Sequence, residues 1–191
     1  FHLGIADMLL GNRARALELF RAVTADAHRR GLSSVAEQAI YEQIRLEAGT
    51  APEETLRALV ADLARHDATT NLTPDWLEIR RHTAAALLAV RRADLAPLAL
   101  ALLPDKALAD AASPWLPLAA EARFLSGDVP GAIALLARAM TGADPTRIPV
   151  ATDILYADLL ARSGQGRAAA TLLQGRLPLR TAPGREALAG M

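Results

Sequence analysis

The sequence has no cysteine, which excludes disulfides, thiolate metal sites and a cysteine nucleophile and leaves the redox compartment open. Aromatic residues make up 4% of it, and of its 21 basic residues only Lys106 is a lysine. Twenty-one acidic residues balance that basic charge, so no global field draws in nucleic acid or an anionic membrane. Arg, Asp or Glu interrupts each Ala/Leu stretch, so none approaches the roughly 20 apolar residues of a bilayer span. The arginines are scattered, a placement that reflects the codon bias of a GC-rich bacterial genome rather than a phosphate-binding design. Direct nucleic-acid binding and membrane insertion are therefore not expected. The cytoplasm is the expected compartment, with the periplasm open.

What is present is alanine and leucine. Hydrophobic residues form 52% of the chain, enough for a real core, and these two types favour helix over strand. Apolar spacings of three and four predict helices over Arg13 to Arg30, Ser34 to Ala48 and Pro52 to His66, with His66 helping to finish the third. On the second, Ala36, Ala39, Ile40, Ile44 and Leu46 mark the buried side. Asp67 to Pro74 reads as a loop ending in a helix start. Helices resume over Asp75 to Arg92 and Leu95 to Leu103. After the Ser113 and Pro114 start signal come Trp115 to Leu125, Val129 to Met140, Pro149 to Arg162 and Gly166 to Leu177. About ten helices and no sheet are expected.

A pattern recurs: a turn glycine followed, five and nine residues on, by a small and then a larger apolar residue. It occurs as Gly11, Ala16, Phe20, then Gly127, Ala132, Leu136, then Gly164, Ala169, Leu173. Eight and seven residues before these glycines stand Leu3 and Gly4, Ala119 and Ala120, and Tyr156 and Ala157. Weaker units align as Tyr41, Glu42, Gly49, Glu54, Ala58 and as Ala86, Leu87, Asp94, Ala99, Leu103. The chain thereby resembles the tetratricopeptide repeat, in which a small residue on the first helix and an alanine on the second let two helices pack closely around a glycine-containing turn. Turn positions 11, 49, 94, 127 and 164 give spacings around the family's roughly 34 residues, with insertions at Asp67 to Pro74 and Thr141 to Pro149. Glu42 and Glu54 depart from the family pattern in the second hairpin.

The resemblance implies an all-α fold, a right-handed α-solenoid of about five antiparallel hairpins over residues 1–177, with a tail at 178–191. Leu3 and Gly4 fall near the middle of a first helix, so the first unit reads as cut and the chain as the C-terminal part of a longer protein.

Conventional chemistry finds little support. Gly164, Gln165, Gly166, Arg167, Ala168, Ala169 fits G-x-G-x-x-A, but a helical pattern rather than a strand precedes it, so no dinucleotide cofactor is expected. His2, His28, His66 and His82 are isolated, which gives no metal site. No G-x-S-x-G elbow or paired carboxylates stand out, so no enzyme activity and no catalytic residue is assigned.

Arg81 and Arg92, three helical turns apart with Leu88 between, are expected to share a helix face that could receive a carboxylate or phosphate. By the repeat resemblance first helices line a concave groove, making Gln43, Glu47, Arg81, Arg92, Glu121, Phe124, Asp158 and Arg162 its candidates. The implied function is a scaffold that binds a peptide, a partner protein or another copy of the chain. Two alternatives remain: the sensory domain of a bacterial transcription regulator whose DNA-binding part lies elsewhere, and the helical appendage of an enzyme. No Lys, Asn and Arg cluster for a terminal carboxylate is found, which argues against chaperone tails as ligands.

Overall fold

The computed structural model describes residues 1–65, 74–104, 108–110, 113–142 and 148–176. His66, the expected loop from Asp67 to Thr73, most of the Thr141 to Pro149 insertion and the tail at 178–191 lie outside them. The described residues are helical, with no strand among them. The chain divides into two compact units, Phe1–Leu103 and Pro104–Met191.

The first unit contains α1 (His2–Leu9), α2 (Arg13–Arg30), α3 (Ser33–Glu47), α4 (Glu53–Arg65), α5 (Pro74–Ala89), a 3₁₀ turn (Ala93–Leu95) and α6 (Ala96–Ala101). Each helix packs on its chain neighbour except α4 and α5: α5 instead lies against α3, as α4 also does. The second unit contains α7 (Leu116–Leu125), α8 (Val129–Gly142), α9 (Val150–Arg162) and α10 over 166–176. Here α8 packs on α7 and on α9, while Ala157, Leu160 and Ala169 join α9 to α10.

The turns explain the recurrent glycine. Gly11, Gly127 and Gly164 have φ of 82°, 85° and 77°, a left-handed conformation that costs glycine little and residues with a Cβ more. Each ends a helix in the same way. Gly127 N–H donates to the carbonyl of Phe124 at 2.9 Å and Asp128 N–H to that of Arg123 at 2.9 Å, closing carbonyls that the helix leaves without partners. Gly31, between α2 and α3, does likewise.

Small residues stand where helices meet. Gly4 and Ala16, Ala120 and Ala132, and Ala157 and Ala169 are all buried pairs, twelve residues apart. A Cβ on Gly4 would lie 2.8 Å from Cε1 of the Phe20 ring, so only glycine leaves that ring its place.

The register of the unit around Asp94 differs from the sequence expectation. Helix α5 stops at Ala89 and the turn is made by Arg91, with φ of 56°, whose N–H donates to the carbonyl of Leu88 at 2.9 Å. Counting from Arg91, Ala84 and Ala96 take the two small positions, and both are fully buried. Asp94 falls in the following 3₁₀ turn. The hairpin of α3 and α4 lacks the pattern: Gly49 is not left-handed, Glu54 and Ala58 are exposed, and α4 turns Leu56, Val60 and Leu63 inward.

Arginines finish several helices. Arg13 donates to the carbonyl of Leu46 at 2.6 Å at the C-terminal end of α3, and Arg92 to that of the C-cap Ala48 at 3.1 Å and to that of Ala51, in the turn after α3, at 2.7 Å. Arg176 donates to the carbonyl of Met140 in the last turn of α8 at 3.2 Å. The carbonyls of Leu46, Ala48 and Met140 lie at the negative ends of helix dipoles, where a guanidinium is favoured.

Candidate interaction surface

The expected groove residues separate into several environments. Gln43 is buried, its Nε2 donating to Thr24 Oγ1 at 2.8 Å and to the Ala39 carbonyl at 3.3 Å, so it joins α3 to α2 and offers nothing to a partner. Glu47 is half-buried at the end of α3 and accepts from Arg21 of α2 at 2.7 Å. Arg81 and Arg92 do not share a face, because α5 ends between them and Leu88 is core. Arg81 is bound to Glu78 at 2.7 Å, and Arg92 is held by two carbonyls and by Asp94. The Arg81 hydrogen bond holds the Glu78 carboxyl below the usual glutamate range, and that from Arg92 does the same for Asp94.

In the second unit three expected residues come together. The Arg162 guanidinium of α9 lies 5.8 Å from the ring centroid of Phe124 of α7, and Arg162 Nε donates to Asp158 Oδ2 at 2.8 Å. Glu121, half-buried, stands one turn before Phe124 on α7. Along α9, Val150, Ile154, Asp158 and Arg162 recur every four residues and form one ridge that begins with two exposed apolar side chains.

A comparable surface in the first unit was absent from the expected set. Tyr41 of α3 lies 6.2 Å from the His82 ring of α5, and the Arg45 guanidinium sits 5.9 Å from the same Tyr41 ring. Arg45 is aimed by Glu42, whose buried Oε2 accepts its Nε at 2.8 Å, and it also touches Met8 of α1. Met8, Arg45, Tyr41 and His82 thus form a strip across α1, α3 and α5. The only sequence signal for it was the Glu42, Arg45 spacing of three beside an aromatic residue, which names a helix pair but no neighbour on another helix.

Behind this strip lies a buried polar cluster. Glu37 of α3 and Trp76 and Arg80 of α5 are each more than nine-tenths buried. The Arg80 guanidinium stacks 3.7 Å from the Trp76 ring centroid, and Trp76 hydrogen-bonds Glu37. Burial pushes the Glu37 carboxyl up from its ordinary value, against the smaller opposing effects of Trp76 and Arg80.

Among the described residues no three His, Asp or Glu side chains gather as a metal site would need, and no helix is long and apolar enough to cross a membrane. No family model, curated protein or solved structure matches the chain significantly.

Proposed function

We propose that the chain is a protein-interaction scaffold of helical hairpins of the tetratricopeptide kind, which binds a peptide or partner protein along the first helices of its hairpins. The supporting observation is that both units present an aromatic ring and an arginine across two such helices: Tyr41 and Arg45 on α3 with His82 on α5, and Phe124 on α7 with Arg162 on α9. Aromatic and arginine side chains are the types that most often dominate binding energy at protein interfaces. Four buried small-residue pairs at one spacing support the hairpin reading. In this proposal the right-handed stacking of the hairpins forms the concave groove, the protein works in the cytoplasm, and it carries no catalytic group of its own.

The test is to pan a random peptide library on phage against the immobilised chain and measure the enriched peptides by calorimetry. Tyr41→Ala or Phe124→Ala should weaken the enriched peptides by about tenfold or more, the scale of an interface hot spot. Failure to enrich any sequence, or equal binding by the double variant, would overturn the reading. Self-association is measured in the same samples by sedimentation.

A further inference from the structure

We propose that Met140 is a site of oxidation by hydrogen peroxide, and that Arg176 receives the sulfoxide oxygen and so fastens the end of α10 to the end of α8. The inference does not rest on the peptide-binding reading.

Every described acceptor of Arg176 belongs to Met140. Its Nη2 donates to the Met140 carbonyl at 3.2 Å and to the thioether sulfur, Sδ, at 3.1 Å. Thioether sulfur is a weak acceptor, poorly suited to a cation drawn out of water. The second terminal nitrogen, Nη1, is buried and has no hydrogen-bond partner among the described residues. By contrast Arg13, Arg92 and Arg138, which also reach across to another element, donate to oxygen atoms.

A donor without an acceptor thus stands beside a sulfur that can gain one. Methionine sulfur carries two lone pairs, and one of them receives Nη2. The other attacks one oxygen of hydrogen peroxide: the S–O bond forms as the O–O bond breaks, and the second oxygen leaves as hydroxide. That hydroxide takes the proton carried by the first oxygen, which gives sulfoxide and water. Sulfur loses two electrons and the peroxide gains them. Met140 is half-buried, so its side chain is not sealed from so small an oxidant. The new oxygen is a strong acceptor on the same sulfur, and Nη1 belongs to the same rigid planar group as Nη2, which brings it within reach. Dedicated reductases return methionine sulfoxide to the thioether, so the state is reversible.

The effect falls on a lightly held helix. Among its described residues α10 buries Ala169 and half-buries Leu172 and Leu173, so a bond at Arg176 carries much of the hold on its last turn. Met8 provides the contrast within the chain. Its sulfur also accepts from an arginine, Arg45, but that guanidinium pairs with Glu42 at 2.7 Å, and no nitrogen of Arg45 is buried without a partner. Met8 packs against Ala16, Phe20 and Leu46, where a polar sulfoxide disturbs an apolar cluster. Oxidation therefore loosens α1 and tightens α10.

The experiment treats the folded full chain with hydrogen peroxide, locates the added oxygen by peptide mass spectrometry and measures hydrogen exchange peptide by peptide before and after. Expected are a sulfoxide at Met140 and exchange slowed about tenfold in the last turn of α10, the scale of one hydrogen bond to a charged group. Arg176→Ala should abolish the slowing. Met140 left reduced in the folded chain, at a peroxide dose that oxidises it in the urea-unfolded chain, overturns the proposal. So does exchange in that turn that is unchanged or faster on oxidation, or slowing that persists in Arg176→Ala. Where Arg176→Ala unfolds α10, Met140→Gln decides: its amide oxygen takes the place of the sulfoxide oxygen and should slow the same exchange without oxidant, and no slowing overturns the proposal.

Discussion

The Arg92 guanidinium lies 2.7 Å from the carbonyl oxygen of Ala51, a residue 41 positions earlier in the chain. This contact and the one to Ala48 fasten the turn after α5 to the turn after α3. Arg92→Ala should lower the melting temperature by a few degrees and speed hydrogen exchange at the end of α3. Arg92→Lys should recover only part of the loss, since a single ammonium cannot serve the two carbonyls that Nη1 binds and also hold both Asp94 oxygens as Nε and Nη2 do. Full recovery by lysine would show that charge alone matters there.

The same guanidinium pairs with Asp94, whose carboxyl it holds below its ordinary 3.8. A depressed carboxylate stabilises the fold above its unfolded value, and that contribution is lost as the pH falls through the folded one. Asp94→Asn should therefore differ from the parent protein at neutral pH and converge with it under acid, below 3.8, in a series of thermal melts.

Close helix approach is the next target. Ala84, Ala120 and Ala132 are fully buried, so replacing any of them with leucine should cost about 1–3 kcal/mol through overpacking. The same change at the exposed Ala161 should be nearly neutral. Gly4→Ala should also destabilise, and Phe20→Leu in the same chain should recover part of that loss by removing the ring its Cβ would meet. Urea unfolding of the set, with an additive loss for the Gly4 and Phe20 pair, would break this account.

Arg91 offers a gain. It occupies the left-handed region with φ of 56°, where a side chain raises the backbone energy. Arg91→Gly should stabilise by about 0.5–1 kcal/mol, whereas Gly127→Ala, at φ of 85°, should destabilise by about 1 kcal/mol. Equal effects of the same sign at both positions would disprove the equivalence of these turns.

Much of the fold was legible because helix periodicity and turn glycines are local properties. The bounds of α2 match the expected Arg13 to Arg30, and the glycines at 11, 127 and 164 mark left-handed turns. The slip at Asp94 has a physical origin: glycine marks the turns at 11, 127 and 164, whereas this turn places an arginine in the glycine conformation three residues earlier. The candidate surface was less legible because it depends on which helices become neighbours. Gln43 has a polar side chain yet satisfies it inside the fold through Thr24, and Glu42 is a buried carboxylate that exists to aim Arg45. Phe124, Asp158 and Arg162 were found together because four-residue spacing and repeat position coincide there. Tyr41 and His82 meet across α3 and α5, 41 residues apart, and no local pattern encodes such a meeting.

A Cβ built at Gly11, Gly31, Gly127 or Gly164 meets no atom within 4 Å. For an ordinary residue these turns thus set a limit on backbone angle and none on the space for its Cβ. A mirror-image amino acid meets that demand, since its preferred angles are those an ordinary residue avoids. Chemical synthesis of the chain with D-alanine at these four sites should preserve the helix pairs and raise their stability by reducing the freedom of the unfolded chain, while L-alanine at the same sites weakens them. What the turns select is chirality.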